Sequence, residues 1–179
     1  MTILPIITAP DPRLKQLSKP VEKVDDELRR LMDDMLETMY AAPGIGLAAV
    51  QVGVAKRVLV VDVTPDRENG EGKDGEDRKP ICMANPEIIS FGDDLTVLEE
   101  GCLSLPDQFA EVERPGNIRL RYIDYQGELR EQEMSGLLAT CVQHEIDHLD
   151  GILFVDHLSG LKRNIILRRL AKEKRTAAG

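Results

Sequence analysis

Leu28, Leu31, Met32, Met35, Leu36 and Met39 recur at intervals of three and four, which sets them along one face of an amphipathic helix over residues 25–40. Asp25 or Asp26 can cap its start, and Pro43-Gly44 ends it. The run RVLVVDV at 57–63 reads as a buried strand. Strand-like runs follow at 81–90, 95–98, 118–125 and 129–134, the last two joined through Gln126-Gly127 as a hairpin. Ser135 or Gly136 opens a second helix that continues to Leu149. Residues 151–155 fit either state, and a final helix is expected over 158–174. Between the first strand and the next, residues 65–80 carry no apolar side chain apart from the stems of Lys and Arg, so a solvated, mobile loop is expected there. Strands cluster between flanking helices without alternating with them. The fold class predicted is α+β, with antiparallel strands around a central helix.

Composition narrows the possibilities. A chain of 179 residues suits one domain, 1–179, and its 42% apolar content can fill a core. The net charge of −9 disfavours DNA and anionic membranes as partners of the whole body. Aromatics reach only 3% with no Trp, which argues against a stacking surface for single-stranded nucleic acid. Three cysteines, an odd number without paired spacing, fit a reducing compartment. The first residues carry no base ahead of their apolar stretch, and no run approaches the roughly 18 apolar residues of a membrane span. A cytoplasmic protein is expected.

The strongest chemical signal is His144-Glu145-Ile146-Asp147-His148, an H-E-x-x-H pattern inside the second helix. Histidines four apart differ by about 40° around the axis and roughly 6 Å along it, so both imidazoles can grip one ion. Glu145 then stands where it can act as a base on a water held by that ion. Two of the chain's three histidines occupy this spacing. A catalytic site of this kind usually needs a third protein ligand. Cys141 shares the helical face but falls some 7 Å short along the axis, which makes it a core or pocket-lining residue. His157 needs a tight chain reversal, and a surface or capping role suits it better. Cys102, in Glu100-Gly101-Cys102-Leu103-Ser104, sits after a strand-like run where Gly101 permits close approach. It reads equally as a ligand or as a buried free thiol.

The segment GIGLAAVQVG at 44–53 formally matches a dinucleotide fingerprint, but helix precedes and strand follows, the reverse of what that site requires. What remains is a glycine-rich apolar stretch with one amide, Gln51, able to donate to a developing oxyanion. It can equally cap a loop.

Taken in order, GIGLAAVQ, EGCLS and QHEIDH, with Pro10-Asp11-Pro12-Arg13-Leu14 ahead of them, resemble the motifs of the peptide deformylase family. The resemblance implies a hydrolase that removes the formyl group from the N-terminal formyl-methionine of new polypeptides. It implies one divalent metal held by Cys102, His144 and His148, with Fe²⁺ as the physiological ion and Zn²⁺, Ni²⁺ or Co²⁺ as alternatives. Glu145 takes the role of general acid and base, Gln51 and the Leu103 N–H hold the oxyanion, and Gly46 meets the substrate backbone. Ile45, Leu98, Leu137 and Cys141 are implied to form the methionine pocket, and Glu100 and Arg114 a pair that fixes the cysteine loop. Phe109 departs from the pattern, standing where some members place an arginine, and the 65–80 loop is longer than the family needs.

Seven bases and one acid between Leu161 and Arg175 give that stretch +6 and leave −15 elsewhere. A solvated helix face explains this, and so does docking on ribosomal RNA, which the resemblance supports. Two rival readings are another H-E-x-x-H metallo-hydrolase and a non-catalytic ribosome-associated relative.

Overall fold

The computed structural model describes residues 1–64 and 78–178. Most of the expected 65–80 loop therefore lies outside the described residues. Helix α1 (Asp26–Ala41) is capped by the Asp25 carboxylate, which accepts from the Leu28 N–H at 2.9 Å. A short strand β1 (Gly46–Ala48) and a 3₁₀ turn (Ala49–Val52) lead to β2 (Val58–Val61). Then come β3 (Ile81–Phe91), β4 (Leu95–Cys102), β5 (Leu105–Pro115), β6 (Asn117–Ile123) and β7 (Leu129–Ser135). Helix α2 (Gly136–Leu149), a 3₁₀ turn (Phe154–His157) and helix α3 (Gly160–Ala178) complete the order.

Five strands form one antiparallel sheet in the order β1-β2-β3-β6-β7, and β4 and β5 form a separate hairpin. The sheet is covered on both faces, which explains why β2 reads as an unbroken apolar run. Val58 and Val60 pack with Met32, Met35 and Met39 of α1. Leu59 and Val61 pack with Ala139, Val142, Ile146 and Leu149 of α2. Successive side chains of a strand point to opposite faces, so each helix receives alternate residues. At β3, Pro86 falls where the pairing with β6 shifts register, the place where a strand tolerates a missing N–H.

A third apolar cluster lies beneath the hairpin. Leu105 and Val112 of β5 meet Phe154, Val155, Ile7, Leu14 and Leu170 of α3. Helix α2 thus runs between the sheet and the hairpin, buried nearly all round. The fold is α+β, as the chain pattern predicts.

The hairpin departs most from the sequence expectation. The strand expected to stop at residue 98 continues to Cys102, and all of β5 goes unpredicted. Both exceptions have one cause: inward positions are held by Glu100, Gln108 and Arg114, all buried, where a hydrophobic pattern calls for apolar side chains. Residues 151–155 resolve into a turn followed by the 3₁₀ segment, and α3 extends four residues beyond the expected end.

Candidate metal centre

The hairpin brings the end of β4 against α2. Cys102 Sγ, His144 and His148 offer ligand atoms that all lie within 4.8 Å of one another. The two imidazoles stand edge to face at 5.0 Å between centroids, as their one-turn spacing requires. Cys102 Sγ lies 3.2 Å from His148 Nε2. Donors around a tetrahedral ion with ordinary sulfur and imidazole bond lengths stand roughly 3.4–3.6 Å apart, which falls between the 3.2 Å of the sulfur–His148 pair and the 4.8 Å that bounds the trio, so small side-chain shifts fit these donors around one ion.

The surroundings orient the donors. His144 Nδ1 faces Glu100 Oε1 at 2.9 Å, which puts the ring proton there and turns the Nε2 lone pair towards Cys102. Glu100 is held by Arg114 in a bidentate pair, at 2.6 and 2.9 Å, with both side chains 5% exposed. Arg114 also donates to Asp147 Oδ2 at 2.9 Å, and His157 Nε2 meets the same oxygen at 2.8 Å. The Glu100–Arg114 pair expected to fix the cysteine loop therefore also sets the His144 tautomer. Asp147 and His157 are network members that the sequence reading missed; the signal was Asp147 itself, three residues after His144 within the motif.

The two imidazoles sit in different fields. Burial opposes charge on His144, but the Cys102 sulfur and the Glu100 carboxylate outweigh it and hold the ring well above the usual imidazole value, so the Nε2 proton is the one a bound ion would displace. Burial, with His144 and Arg114 beside it, drives His148 well below that value and keeps it neutral. Cys141 behaves differently. Burial first, then Glu145 and Glu100, push its thiol far up, so it stays protonated and donates to the Ile45 carbonyl at 3.5 Å. It lines the cleft and is not one of the clustered donors. His157 is likewise not one of the clustered donors.

A cleft of about 600 Å³ opens over this centre, lined among others by Ile45, Gly46, Gln51, Cys102, Leu103, Leu137, Cys141, His144 and Glu145. Glu145 is buried, with its Oε1 at 4.0 Å from His144 Nε2 and its Oε2 lacking a protein partner. Burial, more than any neighbouring charge, lifts its carboxyl to about 7. That suits a group that must take and return a proton near neutrality. Gly46 makes this possible: a Cβ there would lie 2.6 Å from Glu145 Oε1 and 2.8 Å from Cys141 Sγ. Gln51, in the 3₁₀ turn, accepts from the Ala48 N–H through Oε1. Its Nε2 donates to Ser104 Oγ at 3.0 Å and, over 3.6 Å, to Cys102 Sγ. The amide is therefore beside the thiol rather than capping a remote loop. Leu98, in contrast, is half-buried on β4 and is not among the residues lining the cleft, whereas Glu99 and Phe109 are.

The comparisons with known proteins cover nearly the whole chain. A family model described as Polypeptide deformylase matches residues 3–164. The peptide deformylase of Phenylobacterium zucineum is 55% identical over 177 residues, 99% of this chain and 100% of the relative. That of Rhizorhabdus wittichii is 57% identical over 175 residues, 98% and 97% of the two chains. Among solved structures, the peptide deformylase from Ehrlichia chaffeensis superposes with a TM-score of 0.90 at 43% identity, covering 99% of this chain and 100% of that one. The one from Legionella pneumophila gives 0.86 at 43% identity, with 99% and 98% covered.

Proposed function

The chain belongs to the polypeptide deformylase family, and on that premise we propose that Cys102, His144 and His148 hold the metal with which this hydrolase removes the N-formyl group of new polypeptides. The observation that supports this most is the convergence of three donors from β4 and α2 on one point, with the His144 tautomer set by Glu100. A divalent ion bound there supplies Lewis acidity, lowering the pKa of a water in the open position and drawing charge from the formyl oxygen. The donor set suits Fe²⁺, Zn²⁺, Ni²⁺ and Co²⁺. Fe²⁺ is the physiological ion on this reading, as the resemblance implies.

The residues divide the remaining work. Ile45, Leu137 and Cys141 receive the methionine side chain on an apolar, polarisable wall of the cleft. Glu145 takes the proton of the attacking water, its carboxyl held by burial at a value where both forms are accessible. Gln51 exchanges its long contact to Cys102 Sγ for the developing oxyanion, and the Leu103 N–H meets the same oxygen; one such donor is typically worth about 10²–10³ in rate. Protonated Glu145 then delivers its proton to the departing amine, so the C–N bond breaks to give formate and a free methionine amino group. Gly46 contributes twice, by leaving room for the Glu145 carboxylate and by letting the substrate backbone lie close.

The test is hydrolysis of a formyl-Met peptide by the wild type and by Glu145→Gln, each with its metal content measured. Loss of about 10²–10⁴ in kcat with one ion retained per chain is expected. Equal activity in the variant would refute the role given to Glu145, no hydrolysis by the metal-loaded wild type would support the non-catalytic reading, and cleavage of internal peptide bonds would support the endopeptidase reading. For the ion, activity should decline in air and return on anaerobic iron loading; turnover unchanged by aeration with zinc bound throughout contradicts Fe²⁺.

We further propose that α3 docks on ribosomal RNA. Lys162, Arg168, Lys172 and Arg175 are exposed on it, whereas Arg163 is engaged with Asp156 and Arg169 with Gln108.

A further inference from the structure

His157 stands outside the trio of donors, yet an unbroken set of hydrogen bonds leads from it to one of them. Its Nε2 lies 2.8 Å from Asp147 Oδ2, and since a carboxylate oxygen only accepts, that nitrogen carries the proton. The same oxygen accepts from Arg114 Nη1 at 2.9 Å. Arg114 holds Glu100 at 2.6 and 2.9 Å, and Glu100 Oε1 meets His144 Nδ1 at 2.9 Å. Burial falls outward along this path. His144, Glu100 and Arg114 are buried, Asp147 is half-buried, and the His157 side chain is 36% exposed. Without His157 the Asp147 carboxylate is free to turn to water, and Arg114 loses a fixed partner.

The 3₁₀ turn that carries His157 is itself pinned to the centre. At its start Phe154 is buried, with its ring 6.2 Å from that of His144 and 25° from parallel. Within it, Asp156 accepts from Lys15 at 2.6 Å, from the Leu153 N–H at 2.9 Å and from Arg163 of α3 at 2.7 Å. His157 therefore reaches Asp147 from a backbone fixed on both sides, as a supporting group must if it is to hold others in place. We propose that His157 is a positioning residue for the metal centre, acting through Asp147, Arg114 and Glu100 on the orientation of the His144 ring. It touches neither the ion nor the substrate. This role rests on the reading of His144 as a metal ligand.

The experiment compares wild type, H157A and H157Q, each loaded with zinc, in two quantities: affinity for zinc by competition with a chelator, and the proton resonance of the His144 Nδ1–H. A partner directly behind a ligating histidine is typically worth about 10–100-fold in metal affinity, and His157 stands further out, so H157A should lose about three- to tenfold. The resonance should move with it, because the Glu100–His144 bond shifts. The amide of H157Q can still donate to Asp147, and this variant should recover both quantities. In a D147A background H157A should have no further effect on affinity, since the path is already cut. A role confined to stabilising the turn would lower Tm in either background and leave affinity and resonance where they were. Wild-type affinity with an unmoved resonance in H157A, no recovery in H157Q, or an undiminished effect of H157A beside D147A overturns the proposal. A wild type that binds no zinc through His144 overturns the metal-centre reading itself, a distinct result seen before any variant is compared.

Discussion

Replacing Arg114 by methionine removes the guanidinium that holds Glu100 in place while keeping an apolar stem of similar length. In the native protein Arg114 makes three charge-assisted contacts, two to Glu100 and one to Asp147, and the Arg114 and Glu100 side chains are both 5% exposed. The variant leaves Glu100 buried with only His144 as partner. Breaking a buried pair from one side costs about 3–5 kcal/mol, and each kcal/mol lowers Tm by roughly 2–4 °C in a chain of this size. A fall of roughly 6–20 °C is expected in calorimetry of the metal-free protein. Loosening Glu100 also frees the His144 ring, so metal retention against a chelator should weaken by about 10–100-fold. The double variant Glu100→Gln/Arg114→Met removes the stranded charge but keeps an amide oxygen for His144 Nδ1. It should lose less stability than the sum of the single changes. A Tm within 2 °C of wild type for Arg114→Met, with metal held as tightly, would refute the reasoning.

Gly46→Ala should reduce kcat at least about tenfold, as the new methyl occupies the space of the Glu145 carboxylate, with metal stoichiometry unchanged; wild-type turnover would contradict it. Asp156→Asn should lower Tm at neutral pH. Burial raises the Asp156 carboxyl, but bonds from Lys15 at 2.6 Å and Arg163 at 2.7 Å outweigh this and leave it below its ordinary 3.8. A depressed carboxylate stabilises above its unfolded value, so the gap between variant and wild type should be full at pH 7 and close as pH falls through the folded value. A gap that does not narrow as the protein is acidified would count against it. Arg168→Gln/Lys172→Gln/Arg175→Gln should weaken ribosome binding and flatten its salt dependence without altering hydrolysis of a small formyl peptide. Truncating α3 is the poorer test, because Leu170 is buried among Leu14, Leu105 and Phe154.

Much of the molecule was legible from its residues where periodicity and chemistry coincide. The 28–39 apolar stripe gave α1, since its methionines pack with β2. The H-E-x-x-H spacing gave α2 and two of the clustered donors. The third donor was a matter of chain reversal: β4 must run past Gly101 to carry the sulfur to α2, and no local pattern around Cys102 encodes that. The hairpin was least legible because its inner face is polar. Glu100, Gln108 and Arg114 fill inward positions with groups that satisfy one another or α3, and pairing across fourteen residues leaves no trace in a local window. The same blindness hid Asp147 and His157, whose roles exist only once Arg114 has arrived. Phe109 shows the converse, since its exposed ring breaks the rule that large apolar residues go inside, and its seat on Gly101 appears only in the paired strands.

The convergence of one sulfur and two imidazoles on a shared ion is tested most directly by the X-ray absorption spectrum of the zinc-loaded protein, with metal content measured in parallel for wild type and Cys102→Ala. One ion per chain is expected, with a single sulfur at about 2.3 Å and two imidazole nitrogens at about 2.0–2.1 Å. The sulfur signal should vanish in the variant. A wild-type spectrum with no sulfur neighbour, or an unchanged spectrum in Cys102→Ala, would contradict the account.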